Sequence, residues 1–314
     1  MTSGKREIRH RKARGTSRLL LVLALVGALV LAACGSDDDS AAADESGGDS
    51  GSTKITIGWI PWDEDIAVTH LWKHVLEEQG YEVELTNVDV APLFQGLADG
   101  DIDLFFDSWV PDTHGNYWEE YADQIVDLGT WFDNGTLNLA VPEYVDLETF
   151  DDLVGNAEMF DGRIVGIEPG AGTMRRLSEE VMPGYGLDEE YQLVESSTPT
   201  MLTELETAIE NEEPIVVVLW HPHWAYATYP IKDLEDTKGL FGEGEEIVSV
   251  ANKEFAEANP DIVRWFGNFK MDDESLGTLE NLVLREYEGD EAAGVEAWLE
   301  DPDNAALVQS WIDG

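Results

Sequence analysis

Two stretches of this chain, residues 54–109 and 163–220, pass through the same order of elements and stop on the same signal. That repetition limits the fold more than any single motif. In the first stretch 54–60 is a β-rich run, 63–79 has a helical pattern, 82–88 alternates polar and apolar residues, 92–99 is helical and 103–109 is a strand. In the second, strands are expected at 163–167, 191–195 and 215–220, with helices starting from Thr173 and covering 199–211. Two β-α-β-α-β halves imply two mixed α/β lobes. Each third strand ends on a tryptophan with proline two residues on, Trp109-Val110-Pro111 and Trp220-His221-Pro222. Proline has no N–H for the ladder, so the chain leaves the sheet there, and ligands of open α/β sheets sit at such carboxyl ends.

A short strand at 247–250 follows, and then amphipathic helical runs over 262–269, 276–287 and 295–312 that are expected to pack back on the first lobe. The expected organisation is lobe 1 over 53–143, lobe 2 over 144–245 and a C-terminal helical segment over 246–314. Ahead of these, basic residues from Lys5 to Arg18 precede an apolar run, 19–33, shorter than the roughly 20 residues of a spanning helix. Residues 1–33 therefore read as a secretory signal. They end in Leu31-Ala32-Ala33-Cys34, which resembles a bacterial lipobox, and that resemblance makes Cys34 a lipid anchor. After Cys34 the chain up to Ser52 has no large apolar residue to offset the entropy of ordering, so 34–52 is expected to be a flexible acidic tether.

Charge narrows the partners. With 18 Lys+Arg against 66 Asp+Glu the formal charge is −48, which repels phosphate backbones, so nucleic acid is not an expected partner. A single cysteine allows neither an intrachain disulfide nor a cysteine-built metal site.

Three tryptophans stand beside prolines at loop or strand-end positions: Trp62, Trp109 and Trp220. A quaternary ammonium has no N–H to donate, so aromatic faces and dispersion are what hold it well, and a tryptophan box points to a methylated ammonium. Core packing is the competing account of any one tryptophan, and Trp59, Trp72, Trp118, Trp131, Trp265, Trp298 and Trp311 are assigned to it. Gly170-Ala171-Gly172-Thr173 lies between a strand and a helix, where backbone N–H groups and the positive helix end suit an anion such as a carboxylate; a tight turn accounts for the same residues equally well. His114, five residues after Trp109, is close enough to donate to that carboxylate, or else is a surface histidine.

The pairs His221/His223 and His70/His74 have metal-ligand spacings but no glutamate at metalloprotease spacing, so no metal and no cofactor are expected, and His223 reads as support behind the tryptophan box. The acids Asp63 to Asp65 open a helix, where they favour the macrodipole. No Gly-x-Ser-x-Gly elbow is present.

Taken together, Trp62-Asp63-Glu64-Asp65-Ile66-Ala67, Asp89-Val90-Ala91-Pro92, Trp109-Val110-Pro111-Asp112-Thr113-His114, Gly170-Ala171-Gly172 and Trp220-His221-Pro222-His223-Trp224 resemble the glycine betaine-binding proteins of osmoprotectant ABC importers. The resemblance implies an α/β, two-lobed type II periplasmic-binding-protein fold with mixed sheets and the ligand in the interlobe cleft. It implies that Trp62, Trp109 and Trp220 surround a trimethylammonium while His114 and the N–H groups of Gly172 and Thr173 clamp a carboxylate. It further implies a monomeric, non-enzymatic receptor outside the cytoplasmic membrane that delivers its quaternary ammonium ligand to an importer permease and touches the membrane through the lipid anchor only. Two alternatives stand beside it: a choline receptor of the same fold, with Asp63 or Asp112 supplementing the cage, and a secreted hydrolase working through Asp63 to Asp65 with a histidine.

Overall fold

The computed structural model describes residues 54–314, so the signal segment, Cys34 and the tether lie outside the described residues. The first half runs β1 (Lys54–Trp59), α1 (Asp63–Glu78), β2 (Glu82–Asn87), α2 (Val90–Asp99) and β3 (Leu104–Val110), followed by a short α3 (Gly115–Glu120). The chain then enters β4 (Ile125–Pro142) and the second half: β5 (Arg163–Val165), α4 (Gly172–Arg176), α5 (Met182–Tyr185), β6 (Gln192–Val194), α6 (Thr198–Asn211), β7 (Val217–His221), α7 (Ala225–Thr228) and β8 (Ile231–Asp233). Last come β9 (Glu245–Asn252) and the helices α8 (Lys253–Ala258), α9 (Pro260–Asn268), α10 (Asp273–Glu280), α11 (Glu291–Leu299) and α12 (Pro302–Asp313).

The strands lie in the order β2-β1-β3-β9-β4-β7-β5-β6, with β8 also on β4. Within each half the pairs β1–β2, β1–β3, β5–β6 and β5–β7 are parallel, as crossover helices require. The strand β9 is antiparallel to β3 and β4, and β4 is antiparallel to β7. The mixed α/β architecture expected from the sequence is met. What the sequence reading leaves unassigned is β4, the strand common to both lobes: up to Gly135 it pairs with β9, and from Thr136 with β7. Its middle, Asp133-Asn134-Gly135, has the composition of a hairpin turn, and Asn134 has φ of 69°. Here those residues absorb the register shifts where the strand passes from one sheet to the other.

The helical tail also differs from a simple periodic reading. The run 276–287 is α10 followed by a wider π turn, Asn281–Glu286, and the run 295–312 is two helices broken at Asp301-Pro302. Proline cannot donate into a continuing helix, and the Asp301 side chain accepts from the N–H of Asp303 at 2.9 Å to start a new one. The helices α10 and α11 pack on α1, and α12 packs on α9. Trp72 of α1 stacks on Phe106 and Trp311 and meets Phe266 tilted and Phe269 edge-on, joining helix, sheet and tail in one aromatic core. Of the tryptophans assigned to the core, Trp59 and Trp118 are only half-buried; the Trp118 indole donates to Ser108 Oγ at 2.9 Å.

Candidate ligand-binding site

At the carboxyl ends of β3 and β7 the chain turns through Val110-Pro111 and His221-Pro222, both cis peptides. Between these ends lies a cavity lined by Trp62, Trp109, Trp220, His114, Gly172 and Thr173 together with Glu64, Thr113, Leu137, Ile167 and Ala171. All six residues singled out from sequence as contacting a ligand thus border one space, although they come from the turn before α1, β3, the turn after β3, α4 and β7. Trp62 precedes α1, and Trp109 and Trp220 are the penultimate residues of β3 and β7, so three distant segments each contribute one indole.

Each ring has its own means of support. The Trp109 indole donates to Asp107 Oδ1 at 2.9 Å, and its ring lies over Gly135, where a Cβ would come within 2.6 Å of Cζ3. The Trp220 indole donates to Glu64 Oε2 at 2.8 Å, an acceptor from the opposite lobe. Trp62 stacks on the His114 imidazole, centroids 5.8 Å apart and planes 9° from parallel. His223 borders no part of the cavity; it meets the Trp220 ring edge to face at 4.8 Å, with Nε2 2.7 Å from Asp63 Oδ2. His221 turns elsewhere, with Nε2 2.8 Å from Asp233 Oδ2.

His114 is fully buried, which removes the surface-histidine reading. Its Nδ1 accepts the Trp109 backbone N–H at 2.9 Å, so the ring proton of the neutral form belongs on Nε2. That Nε2 is buried and meets no acceptor in the protein. Burial, helped by the charge of Arg175, pushes the imidazole pKa down to about 3. The group is therefore a neutral N–H donor at any ordinary pH.

Across the cavity, α4 begins at Gly172 with Ala171 as N-cap, so its first N–H groups have no carbonyl one turn back to bond. A Cβ at Gly172 would lie 2.5 Å from both Cγ2 and the carbonyl oxygen of Thr113, so only glycine lets α4 approach the β3 turn this closely. Thr173 Oγ1 is buried and meets no partner in the protein. Thr113 is fixed in turn by Glu245, which accepts its N–H at 2.9 Å and its hydroxyl at 2.5 Å. Arg176 lies 3.4 Å from Glu245 and 3.5 Å from Asp112. The Trp224 indole donates to Asp63 Oδ2 at 2.9 Å, a further polar bond between the two halves of the chain.

The sequence reading missed Glu64, treating it as one of three helix-start acids; it is fully buried, and it lines the cavity. It also missed Asp107, for which a signal existed: two residues before Trp109 on one strand, it shares that side chain's face. Asp63 and Asp112, named for a choline cage, do not line the cavity.

A two-lobed α/β fold with an aromatic cavity in its cleft defines a solute-binding protein. The family model described as "Substrate binding domain of ABC-type glycine betaine transport system" matches residues 53–301, and the chain belongs to that family. It is a binding protein, not an enzyme, and the likeness read from its motifs is borne out. Among similar proteins, the glycine betaine/carnitine transport binding protein GbuC of Listeria monocytogenes is 30% identical over 168 residues, which are 54% of this chain and 55% of that protein's own length. The chain thus spans about half of that curated relative. Among solved structures, the glycine betaine, L-proline ABC transporter binding protein ProX from Borrelia burgdorferi has a TM-score of 0.76 at 31% identity, covering 82% of this chain and 96% of that one. Lactococcal OpuAC, closed and complexed with glycine betaine, has a TM-score of 0.75 at 28% identity, covering 82% and 99%.

Proposed function

We propose that this protein captures glycine betaine and related trimethylammonium compounds outside the cytoplasmic membrane, held there by a lipid on Cys34, and passes them to the permease of an ABC importer. The observation that carries this reading is the pairing, in one cavity, of three indoles with a neutral, unpartnered N–H of His114. The ligand is zwitterionic, and the cavity has a matching division. Trp62, Trp109 and Trp220 take the methylated cation; His114 and the N–H groups of Gly172 and Thr173 take the carboxylate. A desolvated cation–π contact contributes about 2 kcal/mol, so three supply about 6 kcal/mol, and hydrogen bonds to the carboxylate at about 1.5–3 kcal/mol each add to this against the cost of association. Trp62, Trp109 and His114 come from one lobe and Trp220 and Gly172 from the other, so a ligand touching both favours the closed cleft.

The test is a thermal-shift panel of glycine betaine, proline betaine, carnitine, choline and proline, since a ligand that binds only the folded state raises the melting temperature. Betaine is expected to give a concentration-dependent rise and proline little. The His114→Ala variant is expected to weaken betaine by about tenfold to a hundredfold, the worth of a hydrogen bond to a charged group, and choline far less. Equal losses for both ligands would count against the carboxylate clamp. Choline is the second reading, favoured by the Glu64 carboxyl at the cavity wall, and direct competition between the two ligands decides the order.

A further inference from the structure

Four residues on the cavity wall carry a buried polar atom that meets no partner in the protein: Trp62 Nε1, Glu64 Oε1, His114 Nε2 and Thr173 Oγ1. An unpaired indole N–H is not particular to the site, since Trp72 and Trp265 share it in the core. His114 and Thr173 differ in their setting. They follow directly on Thr113 and Gly172, which are packed so closely that a Cβ on Gly172 would lie 2.5 Å from the Thr113 carbonyl oxygen. That contact joins the turn after β3 to the start of α4, and the next residue of each segment borders the cavity. The two polar atoms do not satisfy one another, because neither has a partner. Thr173 is only 4% exposed. Among the described residues Ser249 on β9 is the other buried hydroxyl in this condition, and it does not border the cavity. A buried hydroxyl gives up its bonds to water, so one left unpaired by the protein needs a partner from outside the chain.

We propose that the Thr173 side chain is a specificity-determining group of the binding site: its hydroxyl donates to the ligand's carboxylate from the second half of the chain while His114 Nε2 donates from the first. The proposal rests on the quaternary ammonium reading above, and it adds a side chain where that reading asks only for the Thr173 backbone. The His114 imidazole has no free acceptor, since Nδ1 takes the Trp109 N–H, so Nε2 selects an accepting group. A carboxylate has two oxygens, enough for both donors at once, and each bond to it is charge-assisted. The hydroxyl of choline offers one oxygen and no charge. It accepts from His114 and donates to Thr173 through neutral bonds, which are about half as strong. The indoles meet the same trimethylammonium head in both ligands, so the ranking of carboxylated over hydroxylated cations falls to the two side chains facing the other end.

Titration calorimetry with glycine betaine and choline tests this on two pairs of proteins. Thr173→Val removes the hydroxyl at nearly constant volume. Against the wild type it is expected to weaken betaine by about tenfold to a hundredfold and choline by less, so the ratio of the two affinities falls. Its ligand-free melting temperature is expected to match the wild type, because no partner within the protein is lost. Thr173→Ser keeps the hydroxyl and is expected to stay near the wild-type affinity for betaine. Thr173→Ala differs from the serine variant by the hydroxyl alone and is expected to show the full loss, which repeats the comparison if the valine variant does not fold. Unchanged betaine affinity in Thr173→Val, a loss shared equally by choline, or equal losses in the serine and alanine variants would overturn the proposal and leave the betaine reading standing. Wild-type protein that binds no panel ligand would overturn both.

Discussion

Trp109→Ala is expected to lower betaine affinity by about 30-fold or more while leaving the fold recognisable. The minimum is one desolvated cation–π contact of about 2 kcal/mol, to which the lost dispersion contacts of a whole indole add. Trp109 has the greatest leverage of the three because it is tied to so much else. Its indole N–H occupies Asp107, its backbone N–H fixes the His114 tautomer, and its ring fills the space above Gly135. The alanine variant keeps the backbone bond to His114, so the carboxylate clamp survives and the loss reports on the aromatic wall. Truncating a buried tryptophan typically costs about 3–5 kcal/mol of stability, so circular dichroism is needed alongside calorimetry. Trp109→Phe separates the two effects, since it restores an aromatic face without the indole N–H. It is expected to recover a substantial part of the affinity. Near-normal affinity in Trp109→Ala would remove the basis for an aromatic cage.

The legibility of this chain divides by the kind of information each feature needs. The two repeated halves were readable because β-α-β crossovers are encoded locally, in periodicities of a few residues and in the Trp-x-Pro stops after β3 and β7. Of the eleven residues that border the cavity, the three tryptophans and Gly172 were readable for a related reason: tryptophan near proline at a strand end or loop, and glycine before a helix, are local signals with few structural uses. The strand β4 was not readable, because Asp133-Asn134-Gly135 has turn chemistry that only the pairing with β9 on one side and β7 on the other overrides. Glu64 was hidden for a deeper reason. An acid in the first turn of a helix has a sufficient local explanation in the macrodipole, and nothing local shows that it is desolvated against Asp107 and Trp220. The same holds for Glu245, whose partners Thr113 and Arg176 are far away in sequence.

Gly172→Ala supplies the second large effect, and it tests closure separately from chemistry. The glycine stands at the first position of α4 with no need for a positive φ, so in isolation alanine favours the helix by about 0.5–1 kcal/mol. The open form is therefore expected to be as stable as the wild type or slightly more so. In the arrangement described here, with the two halves bridged across the cavity, the added methyl lies 2.5 Å from the Thr113 carbonyl oxygen and 2.5 Å from its Cγ2. Thr113 has little freedom to yield: its N–H and hydroxyl are both held by Glu245, which also accepts the Asp112 N–H at 3.0 Å. Overpacking of this kind costs about 1–3 kcal/mol, and the whole cost falls on the ligand-competent state, because apparent affinity scales with the fraction of molecules able to close. Betaine binding is expected to weaken by about tenfold to a hundredfold with the melting temperature of the ligand-free protein unchanged or raised. In small-angle scattering the compaction that betaine induces in the wild type is expected to shrink at equal ligand concentration. Wild-type affinity together with full compaction would mean that α4 and the β3 turn do not meet when the ligand is bound, and the backbone clamp at Gly172 and Thr173 would then have to be abandoned.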